Sequence, residues 1–291
     1  MKGVILAGGT GSRLHPLTQI TNKHLLPIGD RPMVSFAIEA LVRAGITELM
    51  VVTGGTHAGE FLRLLGNGHE YGIDRLAYGY QERPGGIAEA LGLAERFVGG
   101  ERACVMLADN VFEHSLKTAA DNFAQQERGA RILLARESDV EHLRHLGVPE
   151  LDGDGRVKQI VEKPDLPPSE FVVTGVYFYD ADVFDVIKTL EPSGRGELEI
   201  TDVNNHYVGH GTMEHDVVEG FWGDAGESID VYHAVNDFVR AHGANNEGAF
   251  PSRASHCSGS QTSAVGSWSS CGRRCSRSPS ANPTLPSPAR A

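Results

Sequence analysis

The fold class is decided by Lys2-Gly3-Val4-Ile5-Leu6-Ala7, which runs straight into Gly8-Gly9-Thr10-Gly11-Ser12-Arg13. A short unbroken apolar run closed by glycine reads as a strand buried on both faces, as in parallel sheets. The next patterned segment has a different period. Met33, Phe36, Ala37, Ala40, Leu41 and Ala44 recur at helical spacing over residues 32–44, with Pro32 suited to a first turn. The alternation then repeats. Strands are expected at Glu48–Thr53, Arg75–Tyr80 and Ala103–Leu107, and helices at His57–Leu65 and Ile87–Val98. Such βαβ units give an α/β fold: a Rossmann-like mixed, mostly parallel sheet flanked by helices.

Beyond Gly129 the pattern is richer in strands, with Arg131–Ala135, Arg156–Glu162 and Val172–Tyr179 separated by turns such as Asp152-Gly153-Asp154-Gly155. Helices return at Ala181–Leu190, Leu198–Val208 and Ser228–His242. From Pro251 to Ala291 there is no acidic residue, much Ser, Pro and Arg, and neither helical nor strand period. Such composition cannot bury enough apolar area to offset the entropy of ordering. One domain over residues 1–245 is expected, and then a disordered tail over 246–291.

Composition excludes several classes. A formal charge of −12 argues against a nucleic-acid partner, because that affinity comes largely from basic side chains on phosphates. No apolar run approaches the roughly 20 residues that cross a bilayer, so no membrane partner and a cytoplasmic location are expected. Cys104 lies in the patterned region and Cys257, Cys271 and Cys275 in the tail, without the paired spacing of a zinc site. Neither disulfides nor structural zinc are expected.

The glycine turn lets backbone amides approach phosphate oxygens, and Arg13 can add charge-assisted hydrogen bonds. It lacks the Gly-Lys-Ser/Thr ending of a P-loop and the third glycine of the dinucleotide fingerprint. The same glycines also suit a plain tight turn. Asp109-Asn110 falls where the Ala103–Leu107 strand should end, the edge at which open α/β sheets bind ligands, or simply caps a turn. Gln81, after another strand, carries an amide that can both donate and accept, as a pyrimidine edge requires, or is a surface residue. Glu162-Lys163 reads equally well as a solvated pair.

Gly8-Gly9-Thr10-Gly11-Ser12-Arg13-Leu14, Pro16-Leu17-Thr18 and Lys23-His24-Leu25-Leu26-Pro27 together resemble the amino-terminal signature of sugar nucleotidylyltransferases. The likeness extends over residues 1 to about 240 and is nearest to the glucose-1-phosphate thymidylyltransferases. It implies the nucleotide-diphospho-sugar transferase fold and a Mg²⁺-dependent in-line reaction of dTTP with glucose 1-phosphate, giving dTDP-glucose and pyrophosphate. It also implies that residues 1–128 are mainly nucleotide-binding and 129–245 mainly sugar-binding and metal-completing, and it implies site residues. Gly8, Gly9, Thr10, Gly11, Ser12, Arg13, Lys23, Gln81, Gly86 and Asp109 would hold the nucleotide. Asn110, Gly147, Glu162, Lys163, Val173, Thr174 and Arg195 would hold the sugar phosphate. Asp109 would share the metal with Asp224 of Trp222-Gly223-Asp224-Ala225-Gly226, and Arg13, Lys23, Asp109 and Asp224 would carry catalysis. A homo-oligomer, tetramer or dimer, is implied as well.

Three positions depart from the family pattern: Leu146 replaces an aromatic residue before Gly147, Ala108 a glycine, and Glu227 a common threonine. A UTP- or CTP-using sugar-1-phosphate enzyme is the nearest alternative, since Gln81 accommodates several pyrimidines. A non-catalytic sensor of sugar nucleotides is the alternative from another class, and the retained Arg13, Lys23, Asp109, Lys163 and Asp224 speak against it.

Overall fold

The structure, a computed structural model, describes residues 1–247. The expected tail therefore lies, from residue 248, outside the described residues. In the first half the elements are β1 (Lys2–Ala7), β2 (Pro27–Ile28), β3 (Arg31–Pro32), α1 (Val34–Arg43), β4 (Glu48–Gly54), α2 (Ala58–Leu65), β5 (Arg75–Gln81), α3 (Ile87–Gly92), α4 (Glu95–Val98), β6 (Ala103–Leu107), β7 (Asn110–Phe112) and α5 (Lys117–Gln125). The second half adds β8 (Ala130–Arg136), α6 (Val140–Leu143), β9 (Gly147–Leu151), β10 (Val157–Glu162), β11 (Phe171–Tyr179), α7 (Val183–Lys188), α8 (Ile200–Gly209), β12 (Met213–Val217), β13 (Trp222–Asp224) and α9 (Ile229–His242).

Seven strands form one sheet in the order β12-β8-β11-β6-β1-β4-β5. All neighbours are parallel except β11, which runs antiparallel to both β6 and β8. β1 sits inside the sheet, which is why its sequence is unbroken by polar residues from Gly3 to Ala7 rather than alternating. Its side chains divide between two cores. Ile5 and Ala7 pack with α1 and α5 through Ala37, Leu41 and Phe123. Val4 and Leu6 face α3 and α8 through Ala88, Leu91 and Val203. A third cluster, with Leu14, Ile28, Phe36, Val111, Ala225 and Val235, fastens β7, the start of α1 and the inner face of α9 to one another.

The mostly parallel sheet agrees with the sequence reading, and the differences are local. The helix expected over 87–98 is two: α3 ends at Gly92, a poor helix residue, and Ala94 N–H closes a turn on the Leu91 carbonyl at 2.9 Å before α4 begins. β12, Met-Glu-His-Asp-Val, carries no apolar run because it is an edge strand, where charged side chains discourage pairing with another chain. β9 hides behind Pro149, which a two-stranded ladder tolerates. β7 and β13 have three residues each, too few to show a period.

Ile5 is fully buried in a central strand. Ile5→Ala should lower stability by about 2–5 kcal/mol through lost transfer energy and an unfilled cavity, read as a lower urea midpoint with the m-value unchanged.

Candidate active site

The carboxyl ends of β1, β5 and β6 open into a cleft of about 430 Å³, a size suited to a small-molecule ligand. The glycine turn forms one wall. Gly11 has φ +64°, and a Cβ there would lie 2.9 Å from Thr18 Cγ2, so only glycine fits both the backbone and the space. The Thr18 hydroxyl donates to the Gly11 carbonyl at 2.8 Å. The next residues form a short 3₁₀ turn, Ser12–Leu14, in which buried Leu14 anchors the turn and leaves Arg13 exposed at the cleft. A second such turn, Lys23–Leu25, is capped by Asn22, whose side chain accepts from His24 N–H at 2.9 Å. It delivers Lys23 to the floor of the cleft.

There Lys23 Nζ lies 2.5 Å from Asp109 Oδ2. Asp224 is brought to the same place by the antiparallel β7–β13 ladder, in which it pairs with Asn110, and Ala225 N–H donates to the Asp109 carbonyl at 2.9 Å. Burial alone would raise the pKa of Asp109. The Lys23 charge and the neighbouring His24 ring outweigh it and hold Asp109 well below the usual carboxylate range. Asp224 is pushed up to about 7, first by loss of solvation and then by the Asp109 charge. Burial opposes the charge on Lys23, but Asp109 and Asp224 together raise its pKa above the ordinary value. His24, fully enclosed, moves down, through burial and then the Lys23 charge.

The acid pair suits a hard divalent cation. Two carboxylates plus substrate phosphates are a usual magnesium donor set, and a cation, the Lys23 ammonium, already rests on Asp109. The space is kept by Gly226, where a Cβ would lie 2.5 Å from both Asp109 Oδ2 and Lys23 Nζ. Among the described residues no group of three or more His, Cys, Asp or Glu could hold a metal, so such an ion would depend on ligands from the substrate.

On one side of this floor Gln81 ends β5, and Gly86 enters α3 with φ +99°, where a Cβ would collide with the Leu198 carbonyl. On the other side, Thr201 donates to Glu162 Oε2 at 2.7 Å. Lys163 Nζ lies 3.3 Å and Arg195 3.7 Å from Glu162 Oε1. Lys163 holds φ +47°, a costly conformation for a side-chain-bearing residue, fixed by its N–H donating to the Leu146 carbonyl at 3.0 Å. Arg195 also pairs with Glu199 at 2.9 Å, and that hydrogen bond raises its pKa.

Of the residues the sequence singles out, Gly8, Gly9, Arg13, Lys23, Gln81, Gly86, Asp109, Asn110, Gly147, Glu162, Lys163, Val173, Arg195 and Asp224 line this one cleft. Thr10, Gly11 and Ser12 belong to the turn without lining it, and Thr174 is wholly buried outside it. Asn110 is engaged inside the protein: its Oδ1 accepts from Trp222 Nε1 at 2.7 Å and Gly175 N–H at 2.8 Å, while its Nδ2 donates to Asp109 Oδ1 at 3.2 Å. Sequence reading gives no role to Thr201, Glu199 or Trp222, which reach the cleft only through the fold.

A nucleotidyl transferase family model matches residues 2–241. The chain is 42% identical over 243 residues to a glucose-1-phosphate thymidylyltransferase of Actinoplanes sp., covering 83% of this chain and 78% of that protein. It is 40% identical over 235 residues to the low-salt glycan biosynthesis nucleotidyltransferase of Haloferax volcanii, covering 80% of this chain but only 65% of that longer protein. Among solved structures, a candidate glucose-1-phosphate thymidylyltransferase of Bacillus anthracis in complex with sucrose superposes with a TM-score of 0.78 at 44% identity, over 82% of this chain and 95% of that one. The chain belongs to the nucleotidyl transferase family.

Glu227, at the departure from the family pattern after Asp224, has a partner. His142 Nε2 lies 2.5 Å from Glu227 Oε2, and His142 Nδ1 pairs with Glu137. The histidine thus ties the Asp224 loop to α6. Chiefly through Glu227, and then Glu137, its pKa rises to about 9 from an ordinary value near 6.5. A raised folded-state pKa contributes stability that is complete below the unfolded value and fades as pH climbs through the folded one. Melting temperature should therefore fall between about pH 6.5 and 9. His142→Ala should flatten that part of the profile in a thermal-denaturation series, and an unchanged slope would remove the histidine from it.

Proposed function

We propose that this nucleotidyl transferase joins glucose 1-phosphate to the thymidylyl group of dTTP and releases pyrophosphate. The observation that carries this reading is the meeting of Asp109, Asp224 and Lys23 between a basic glycine turn and the Glu162–Lys163 wall. Relatives named glucose-1-phosphate thymidylyltransferase at 38–42% identity support the choice of substrates.

The reaction needs no protein nucleophile. A phosphate monoester is ionised at neutral pH, so an oxygen of glucose 1-phosphate can itself form the new bond to the α-phosphorus. The bond from that phosphorus to the bridging oxygen breaks, and the electron pair leaves with pyrophosphate. What the protein must supply is alignment and positive charge. Arg13 and the backbone amides of the glycine turn take the triphosphate. Lys163 and Arg195 take the attacking phosphate. Glu162, whose Oε2 already accepts from Thr201, accepts hydrogen bonds from sugar hydroxyls, and Gln81 meets the base. Asp109 and Asp224 would hold Mg²⁺, which supplies charge against the phosphates and the leaving pyrophosphate.

No helix among the described residues is long and apolar enough to cross a membrane. A homo-oligomer and a cytoplasmic place of action belong to the same proposal and are supported by the family resemblance.

Pyrophosphate release from dTTP and glucose 1-phosphate with Mg²⁺ tests the reading directly; no release from any pyrimidine triphosphate would refute it. Asp224→Asn should lower kcat on the order of 100-fold, as removal of a charge-stabilising group does, while the melting temperature stays at or above that of the parent. Lys163→Ala should raise KM for glucose 1-phosphate about tenfold, the scale of one charged hydrogen bond, and leave KM for dTTP unchanged. Equal change in both constants would place Lys163 elsewhere.

A further inference from the structure

The Gln81 side chain is not free to present either end of its amide. Its Nε2 donates to the Gly86 carbonyl at 3.2 Å and to Glu89 Oε1 at 3.1 Å. A primary amide has two hydrogens, and both are spent. The Oε1 end points the other way, toward the glycine turn, where a Cβ on Gly8 would lie 3.4 Å from it. Gln81 therefore offers the cleft an acceptor and no donor.

The orientation is enforced by its partners. Rotating the amide by a half turn would set Oε1 against the Gly86 carbonyl and the Glu89 carboxylate, three acceptors with no proton among them. In this half-buried position the flipped amide would lose both of the hydrogen bonds it now donates and bring like partial charges together. Gly86 cannot move aside to relieve this. Its carbonyl also accepts from Ala90 N–H at 3.2 Å, and the flanking Leu198 N–H donates to Gly85 O at 2.8 Å while Ala88 N–H donates to Leu198 O at 3.1 Å. Glu89 stands on the first turn of α3, with Arg83 3.8 Å from its other oxygen.

We propose that Glu89 is a positioning residue for base selection: by holding the Gln81 amide with its oxygen toward the cleft, it makes the site accept pyrimidines with a ring N–H, thymine and uracil, and reject cytosine. The inference rests on the reading that the nucleotide base lies against Gln81. Thymine and uracil carry a proton on the ring nitrogen between their two carbonyl groups, which Oε1 can accept. Cytosine has a lone pair at that nitrogen, and two acceptors would face each other. The methyl group of thymine and the 2′-hydroxyl of a ribonucleotide play no part, so dTTP and UTP fall in one class and CTP in another.

The test compares dTTP, UTP and CTP in the full chain, in Glu89→Leu and in Glu89→Lys, by kcat/KM with glucose 1-phosphate and, independently of turnover, by calorimetric Kd. In the parent, dTTP and UTP should each exceed CTP by at least about tenfold, the scale of one hydrogen bond left unmade. Glu89→Leu removes the acceptor while keeping bulk, and should narrow both the dTTP:CTP and UTP:CTP ratios about tenfold. Glu89→Lys can donate to Oε1, turning the amide over, and should shift the ratios further toward CTP. Ratios unchanged in both variants, even with all three nucleotides uniformly weakened, would show that Glu89 only supports the helix and would overturn the proposal. The two readings fail separately. A parent that binds dTTP over CTP but releases no pyrophosphate defeats the proposed activity and leaves this inference to its binding ratios. A parent that binds dTTP and CTP alike, or neither, defeats the inference.

Discussion

A ladder of three residues a side, Asn110–Phe112 against Trp222–Asp224, is the constraint on which the cleft depends. It brings two carboxylates far apart in the sequence within reach of one cation. So short a ladder cannot hold itself together. It is clamped from both sides instead: Phe112 is buried in the core under β1, Val111 and Ala225 in the cluster that packs α9, and Glu113 N–H donates to the Phe221 carbonyl at 2.9 Å. Asn110, at its head, spends its carbonyl on Trp222 and Gly175 and its amino group on Asp109, so that the geometry of the first carboxylate is set by the strand that carries the second.

Bringing like charges together has a cost, and the protein meets it chiefly with the Lys23 charge. The charged side chains lining the cleft, histidines aside, are four basic (Arg13, Lys23, Lys163, Arg195) and five acidic (Asp109, Asp224, Glu162, Glu197, Glu199). A protein of formal charge −12 thus does not build a positive pocket for polyanions out of side chains. A divalent cation on the acid pair reverses the sign of this balance, which is why the chain's own residues argue for a metal-dependent phosphate site.

Legibility in the sequence tracks the length scale of the signal. β1, β4 and β6 are readable because strands inside a parallel sheet carry near-continuous apolar runs, and α9 because Ser228 caps it, accepting from Val231 N–H at 3.1 Å. The order of the strands is not readable: β11 inserts antiparallel between β6 and β8, and nothing in Phe171–Tyr179 records which neighbours it takes. At the site, motif residues such as Arg13 and Lys163 can be named as lining residues from their motifs, and they do line the cleft. The roles of Thr201 and Trp222 are not legible in the sequence, since their relation to Glu162 and Asn110 exists only after folding. Glu227 is legible as an oddity, and only the fold supplies the histidine that explains it.

The polar groups at the floor of the cleft are nearly all committed to one another, and that limits the chemistry. His24 is the side chain nearest to a general base, yet it is enclosed, its pKa is lowered, its Nδ1 lies 2.9 Å from Asn22 Oδ1 and its Nε2 lies 3.7 Å from Asp109. It therefore buttresses Asp109 and is too enclosed to take a proton from a substrate. A floor arranged in this way gives a neutral hydroxyl no help from His24. It can align and shield an attacking group that arrives already ionised. The bonding of the floor thus suits the phosphate nucleophile of the proposed reaction, whichever sugar the outer wall of the cleft selects.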